Sequence, residues 1–321
     1  MKPVHPQDRC GIVLAGSKDN RLGAFIHYLK GSAAPKQFVN FIGRRSMLEH
    51  TLDRAERLVR RGCLYTVATR EHLAYPEVQR QLAGRPRDTV IVQPNDLDSG
   101  PAIMLPLARI HKRRPETAVA VFPADHFILE EELFMTQVGM ALYMVERSPT
   151  DVFLLGVEPD APEADYGYIV TDGEADELAP SGARNVRLLV EKPDAALAHE
   201  LAVASGLWNT MTIVFRADTA VHLIRRFAPQ LYQAFCDIEA ALGTRAEPQA
   251  IERAYRRLQP LCFNDVLHKC AALRPARIRV LPVSGVFWSD WGSEARIADS
   301  LKQTGYFDRL KKTADTGVPL G

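Results

Sequence analysis

Two cationic side chains follow the first apolar segment of the chain. Residues 11–16 (Gly-Ile-Val-Leu-Ala-Gly) have the pattern of a buried strand that ends at a glycine, and Arg21 and Lys36 lie in the polar segments after it. Backbone N–H groups around Gly16 can bind phosphate oxygens at the edge of an α/β sheet. Arg21 would add a planar set of donors and Lys36 a point charge. The segment can therefore hold a polyphosphate, although a strand ending in glycine also occurs where only close packing requires it.

Two isolated aspartates are candidate metal ligands. Asp125 follows the apolar strand predicted at 118–122, and Asp290 lies in a turn between two tryptophans. One or two carboxylates suffice for Mg²⁺ when phosphate oxygens and waters complete its coordination. The alternative for each aspartate is a cap of the helix or turn that follows.

A third set of polar residues can bind a sugar. Glu191 and Lys192 follow the strand predicted at 186–190, and Asn209 follows Trp208. A carboxylate accepts hydrogen bonds from sugar hydroxyls, and a lysine neutralises a sugar phosphate. An amide can both donate and accept hydrogen bonds. Gly167, between two tyrosines, would let backbone approach a sugar ring closely. The alternative for Glu191 and Lys192 is a salt bridge at a strand end.

Several other nucleotide and hydrolase sites lack their signatures here. The segment after the first strand has neither the G-x-x-x-x-G-K-[ST] spacing of a P-loop nor the G-x-G-x-x-G of a dinucleotide site. The chain also contains no G-x-S-x-G elbow and no H-E-x-x-H pair.

The composition argues against nucleic-acid-binding and membrane proteins. The 321 residues carry 40 basic and 39 acidic side chains, so no charge excess favours nucleic acid or a membrane surface. No apolar run approaches the roughly 20 residues that span a bilayer. The five cysteines are scattered, which is typical of buried thiols in a reducing compartment. We expect a cytoplasmic protein that binds neither nucleic acid nor membrane, and the sequence leaves a homo-oligomer open.

Alternating strand and helix patterns in the first half predict a mixed, mostly parallel sheet with helices on both faces. A capping box at Ser46–Glu49 predicts a helix that Gly62 ends. Because no Pro/Gly-rich linker divides the chain, we expect one domain over residues 1–307 and a tail at 308–321. Its nucleotide-binding part would cover about 10–150 and its sugar-binding part about 151–300.

In their order along the chain, these segments resemble the sugar-phosphate nucleotidyltransferases, and specifically the mannose-1-phosphate guanylyltransferase branch. The resemblance covers roughly residues 10–300. The matching segments are Leu14-Ala15-Gly16 with Arg21-Leu22, Pro35-Lys36-Gln37-Phe38, Arg45-Ser46-Met47-Leu48-Glu49, Gln93-Pro94 with Pro101-Ala102-Ile103, Phe122-Pro123-Ala124-Asp125-His126, Tyr166-Gly167-Tyr168-Ile169, Val190-Glu191-Lys192-Pro193, Trp208-Asn209-Thr210 and Trp288-Ser289-Asp290-Trp291-Gly292-Ser293.

The resemblance implies a Rossmann-like nucleotidyltransferase fold and a reaction. A nucleoside triphosphate, GTP in this branch, and a hexose-1-phosphate would give an NDP-sugar, GDP-mannose, and pyrophosphate. It also implies a role for each matching residue: Arg21 and Lys36 at the triphosphate, Asp125 and Asp290 on Mg²⁺, Leu14, Ala15, Gly16 and Gln93 at the base, Gly167, Glu191 and Asn209 at the hexose, and Lys192 at its phosphate.

The chain departs from the family pattern at two places. The family's first loop usually reads Gly-Gly-x-Gly-x-Arg, whereas Ser17 and Asp19 replace its second and third glycines here. Asp19 would bring a negative charge towards a triphosphate. The family commonly has Arg-Asn-Thr or Arg-Gly-Thr where this chain has Leu97-Asp98-Ser99, so an arginine is missing. These departures leave open a second function, a catalytically impaired homologue that binds nucleotide or NDP-sugar as a regulatory or partner subunit.

Overall fold

The structure is a computed structural model that describes residues 9–18, 21–31, 34–172, 182–273 and 277–305. Asp19 and the tail expected at 308–321 lie outside the described residues.

The centre of the molecule is one nine-stranded sheet, and a separate two-stranded sheet lies beside it. The strands are β1 (Cys10–Leu14), β2 (Leu64–Thr69), β3 (Val90–Gln93), β4 (Ala118–Pro123), β5 (Phe127–Ile128), β6 (Val152–Val157), β7 (Tyr168–Thr171), β8 (Arg184–Val190), β9 (Leu207–Arg216), β10 (Ile278–Val283) and β11 (Trp288–Ser289). The order in the large sheet is β3-β2-β1-β4-β9-β6-β10-β8-β7. The first four strands are parallel, whereas β9 is antiparallel to both of its main neighbours and β8 to β10. The expected mixed sheet is confirmed, with β1, β2, β3 and β4 as one parallel group and β6 and β10 as a second parallel pair.

Helices cover both faces of this sheet, as the sequence predicts. They are α1 (Gly23–Lys30), α2 (Met47–Ala55), α3 (Pro76–Ala83), α4 (Ser99–Arg113), α5 (Glu131–Arg147), α6 (Ala195–Val203), α7 (Ala217–Phe227), α8 (Pro229–Ala241), α9 (Glu247–Arg257), α10 (Phe263–Leu273) and α11 (Glu294–Gln303). One apolar cluster packs α2 and α5 against the sheet, and a second packs α4, α7, α8 and α10 against the other face. Continuous apolar strands such as β4 and β6 are buried because both of their faces are covered.

The capping box is confirmed, but its helix is shorter than expected. The Ser46 hydroxyl accepts from the Glu49 N–H at 3.1 Å, and the Glu49 carboxylate accepts from the Ser46 N–H at 2.7 Å. The helix ends at Ala55 instead of reaching Gly62. A turn at residues 56–58 and a short 3₁₀ helix at Arg61–Cys63 then lead into β2.

The small sheet joins the two segments that carry the candidate metal ligands. Strand β5 begins two residues after Asp125, and β11 ends one residue before Asp290. The two strands pair antiparallel, with Ser289 opposite Phe127. This pairing brings two aspartates separated by 165 positions in the sequence to the same part of the molecule.

Candidate active site

Lys36 connects the two aspartates. Its ammonium lies 3.1 Å from Asp125 Oδ2 and donates to the backbone carbonyls of Asp290 at 3.0 Å and Trp291 at 3.2 Å. The side chain is almost fully buried. An ammonium has three hydrogens, and these three partners account for all of them. Lys36 therefore positions Asp125 and the Asp290 turn in this structure, which differs from the direct contact with triphosphate expected from the sequence.

Asp125 keeps its charge although it is largely enclosed. Burial alone would raise the pKa of this carboxyl, but the Lys36 ammonium beside it holds that pKa below its usual value. Burial lowers the pKa of the neighbouring His126 to about 4, so its ring is neutral at pH 7. The Trp288 indole N–H donates to Nδ1 of His126 at 3.3 Å, which leaves the ring proton on Nε2, 3.9 Å from Asp125 Oδ1.

Asp290 is held by its own turn and by an arginine from α11. Its Oδ1 accepts from the Gly292 N–H and from Arg296 Nη1, both at 2.8 Å. The Arg296 guanidinium also contacts Glu163 and Asp165 at 3.2 Å and lies 4.0 Å from the centre of the Tyr166 ring. Arg296 thus ties the Asp290 turn to the segment that precedes β7.

The loop after β1 is held by side chains from distant parts of the chain. The Gln37 amide donates to the carbonyls of Ala15 at 2.9 Å and Ser17 at 3.0 Å. The Asp96 carboxylate accepts from the Lys18 N–H at 3.0 Å. Hydrogen bonds from two sides therefore fix the described part of this loop.

Gly16 and Gln93 pack directly against each other. A Cβ atom on Gly16 would lie 2.4 Å from Gln93 Nε2, so only glycine leaves room for that amide. Gln93 is fully buried at the end of β3, and its Oε1 lies 3.2 Å from the Tyr255 hydroxyl. Its Nε2 has no hydrogen-bond partner among the described residues. A buried amide without a partner beside an open cleft is the type of group that a ligand satisfies.

Packing holds the segment 97–99, where the family commonly has an arginine. Leu97 packs against the apolar cluster beneath α4, and its carbonyl accepts from the Leu261 N–H at 3.1 Å. Asp98 follows with φ 70° and ψ −176°, a conformation that favours glycine, and its carboxylate accepts from the Ser99 N–H. The segment 97–99 is therefore anchored to the core and to α4.

The residues expected to bind the sugar do converge. A Cβ on Gly167 would lie 3.0 Å from Glu191 Oε2 and 3.5 Å from Asn209 Cβ. The Asn209 N–H donates to the Gly167 carbonyl at 2.8 Å. Burial raises the pKa of Glu191, and the Lys192 ammonium acts in the opposite direction.

One cleft of about 550 Å³ joins these groups. Six residues named from the sequence line it: Leu14, Gly16, Gln93, Asp125, Glu191 and Lys192. Arg21 is exposed and is not among the described residues of the lining, whereas Ala15 and Lys36 are buried behind it. Of the expected site residues, the structure therefore brings Leu14, Gly16, Gln93, Asp125, Glu191 and Lys192 to one cleft. Arg21, Asp290, Gly167 and Asn209 are not among the described residues that line it.

Backbone strain concentrates at this cleft. Asp98, Lys192, Met211 and Trp291 all have positive φ, between 44° and 70°. The first three line the cleft, and Trp291 adjoins Asp290. Non-glycine residues adopt this conformation rarely, and such strain is often found at binding sites.

Sequence reasoning missed part of the lining. Asp96, Cys262 and Asn264 line the cleft but are not among the residues that the sequence predicts for the site. Asp98 and Ser99 also line it and belong to the segment that departs from the family pattern. Nothing in the local pattern around Cys262 and Asn264 indicates a binding site.

Comparison with known families agrees with this arrangement. The family model described as nucleotidyl transferase matches residues 10–303. The chain belongs to the nucleotidyl transferase family. This confirms the resemblance drawn from the motifs.

Curated relatives of this nucleotidyltransferase fall in the expected branch. The xanthan biosynthesis protein XanB of Xanthomonas campestris pv. campestris strain B100 is 29% identical over 299 residues, which are 92% of this chain and 60% of that protein. The mannose-1-phosphate guanylyltransferase of Escherichia coli K12 is 28% identical over 290 residues, which are 88% of this chain and 57% of that enzyme. The chain spans less than two thirds of the length of these relatives.

Solved structures share the fold of this nucleotidyltransferase. A Thermus thermophilus protein described as a mannose-1-phosphate geranyltransferase superposes with a TM-score of 0.70 at 23% identity, over 89% of this chain and 77% of its own. Among the described residues, no helix combines the length and apolar character needed to cross a bilayer.

Proposed function

We propose that this nucleotidyltransferase makes an NDP-sugar and pyrophosphate from a nucleoside triphosphate and a hexose-1-phosphate, with GTP and mannose-1-phosphate as the specific pair. The observation that carries the proposal is the single cleft in which Gly16 and Gln93, Asp125, and Glu191 with Lys192 all meet. The guanylyltransferase among the relatives supports the choice of base and sugar.

The cleft's charge favours a nucleotide that arrives with a divalent cation. Asp96, Asp98, Asp125 and Glu191 line it, and Lys192 is the one lysine or arginine among its described lining residues. A free triphosphate would meet more negative than positive charge there. A divalent cation bound with the triphosphate reduces this repulsion.

Asp125 and Asp290 fit Mg²⁺ as partial ligands. Each carboxylate uses one oxygen for a protein partner, Asp125 Oδ2 for Lys36 and Asp290 Oδ1 for Gly292 and Arg296. No group of three or more His, Cys, Asp or Glu side chains suited to a metal occurs among the described residues. Two carboxylates are nevertheless the donor set that Mg²⁺ takes when phosphates and waters supply the rest. Mg²⁺ bound here would neutralise phosphate charge.

The residues of the chain then act mainly by positioning. Gly16 and Gln93 would hold the base, and Glu191 with Asn209 the hexose, so that a sugar-phosphate oxygen faces the α-phosphorus. That oxygen forms the new P–O bond as the bond to pyrophosphate breaks. Lys192 would hold the sugar phosphate, and Lys36 keeps Asp125 charged and in place. This is catalysis by proximity and electrostatic stabilisation.

The second candidate function is an impaired homologue that binds nucleotide or NDP-sugar without turnover. The acidic lining and the core-packed Leu97 favour it. The test is pyrophosphate release from a panel of nucleoside triphosphates and hexose-1-phosphates with Mg²⁺, paired with calorimetric binding of each nucleotide. Release with GTP and mannose-1-phosphate supports the first function. Nucleotide binding without release from any pair supports the second.

A further inference from the structure

Asn264 inserts an amide between two of the sugar-side residues. It is the second residue of α10, and only 8% of its surface is exposed. Its Nδ2 lies 3.4 Å from Glu191 Oε2, and its Oδ1 accepts from Asn209 Nδ2 at 3.3 Å. Glu191, Asn264 and Asn209 thus form one hydrogen-bonded row, in which Glu191 and Asn264 line the cleft.

Hydrogen-bond chemistry fixes the direction of every amide in this row. The Met211 N–H can only donate, and it meets Asn209 Oδ1 at 3.0 Å. Asn209 therefore directs its Nδ2 towards Asn264, and Asn264 accepts this hydrogen bond with its Oδ1. The Asn264 Nδ2 is then directed at Glu191, whose carboxylate only accepts while it is ionised. The row has one consistent orientation, and a backbone group sets it.

The row retains capacity for a ligand. Asn264 Nδ2 has a second hydrogen and Oδ1 a second lone pair, and Glu191 has a second oxygen. The two contacts of Asn264 are long for hydrogen bonds, so a ligand would not have to compete with strong internal ones. A carboxylate beside an amide suits adjacent hydroxyls of a hexose, since each hydroxyl can donate to the first and accept from the second.

We propose that Asn264 is a sugar-binding residue and contacts a hexose hydroxyl together with Glu191. The proposal depends on the proposed function, because it assumes that this end of the cleft receives a hexose. It assigns to α10 a part in sugar recognition that the sequence did not indicate.

The experiment compares binding of GDP-mannose with binding of GDP, by calorimetry, in the wild type and in Asn264→Ala. Loss of one amide contact should weaken GDP-mannose binding about tenfold, while GDP, which lacks the sugar, should change less than about twofold. Asn185→Ala, on an exposed position of β8, is the matched control and should change neither. Asn264→Leu, with a side chain of similar size, repeats the test if Asn264→Ala unfolds.

The outcomes separate the two claims. Equal weakening of both ligands, or unchanged GDP-mannose binding in a folded variant, overturns the role of Asn264 and leaves the proposed function intact. A wild type that binds GDP no more weakly than GDP-mannose overturns the sugar site itself, and Asn264 with it.

Discussion

Replacing Lys36 by methionine removes the cation that connects Asp125 to the Asp290 turn. Methionine keeps much of the side-chain volume but leaves Asp125 and the carbonyls of Asp290 and Trp291 without their shared donor. The change therefore isolates charge and hydrogen bonding from packing. Lys36→Arg is not expected to rescue it, because a planar fork cannot direct three donors at these three acceptors.

The expected cost follows from the burial of this pair. Breaking a buried ion pair by removing one partner costs about 3–5 kcal/mol, since the other charge stays without compensation. Asp125 retains 22% side-chain exposure, so we expect the lower end, about 3 kcal/mol. For a chain of 321 residues this corresponds to a fall in the unfolding midpoint of roughly 5 °C.

The pH dependence distinguishes this explanation from a packing defect. In the wild type, Lys36 holds the pKa of Asp125 below its ordinary value of 3.8, which stabilises the fold above that pH and is lost as the pH falls. Without Lys36, the main attraction that offsets burial is lost, so the pKa of Asp125 rises. The stability difference between wild type and Lys36→Met should therefore be large at pH 7 and shrink as the pH approaches 4.

Denaturant unfolding in EDTA at pH 7 and pH 4 measures this difference directly. Lys302→Met is the matched control, because the ion pair of Lys302 with Asp299 is exposed and contributes little. A Lys36→Met protein with wild-type stability at pH 7, or with the same loss at both pH values, would refute the assigned role of Lys36.

Two further predictions address the two ends of the cleft, and a third concerns Asp19. Gly16→Ala should displace the Gln93 amide and raise the KM for GTP at least about tenfold, with little effect on the KM for mannose-1-phosphate. Gly23→Ala is the control, because its Cβ would meet nothing within 4 Å. Equal KM values for GTP in both variants would contradict the role of the contact between Gly16 and Gln93. Glu191→Gln should weaken hexose-1-phosphate binding about tenfold at pH 7. Because burial raises the pKa of Glu191, the wild type's advantage over this variant in calorimetry should fall at a pH above the ordinary glutamate value of 4.5, and a constant advantage would argue against a carboxylate role. Asp19→Gly, predicted from the sequence alone, should increase pyrophosphate release, and a lower nucleotide affinity in this variant would show that Asp19 does not repel the triphosphate.

Short sequence patterns predicted the strands and helices that depend on neighbouring residues. The strand predicted at 118–122 is β4, and the capping box at Ser46 forms as its residue types require. The continuous apolar strands and their alternation with helices indicated the doubly covered sheet. The fold class could therefore be derived from sequence.

Long-range hydrogen bonds explain what was missed. Lys36 contacts carbonyls 254 and 255 positions further along the chain, and no spacing rule reveals that its donors are already used. Helix α10 was not predicted, so Asn264 had no expected location near Glu191. The residue types of the motifs indicated which groups meet, but tertiary packing decided which of them face the ligand.

Formation of an NDP-sugar in the presence and absence of the Asp125 carboxylate tests the central claim most directly. Wild type and Asp125→Asn would be incubated with GTP, mannose-1-phosphate and Mg²⁺, and GDP-mannose quantified by chromatography. We expect product from the wild type and a loss of about 100-fold or more in the variant, because an amide cannot replace the charge beside Lys36. An Asp125→Asn protein that forms GDP-mannose at the wild-type rate, or a wild type that forms no NDP-sugar from any triphosphate and hexose-1-phosphate, would contradict the account.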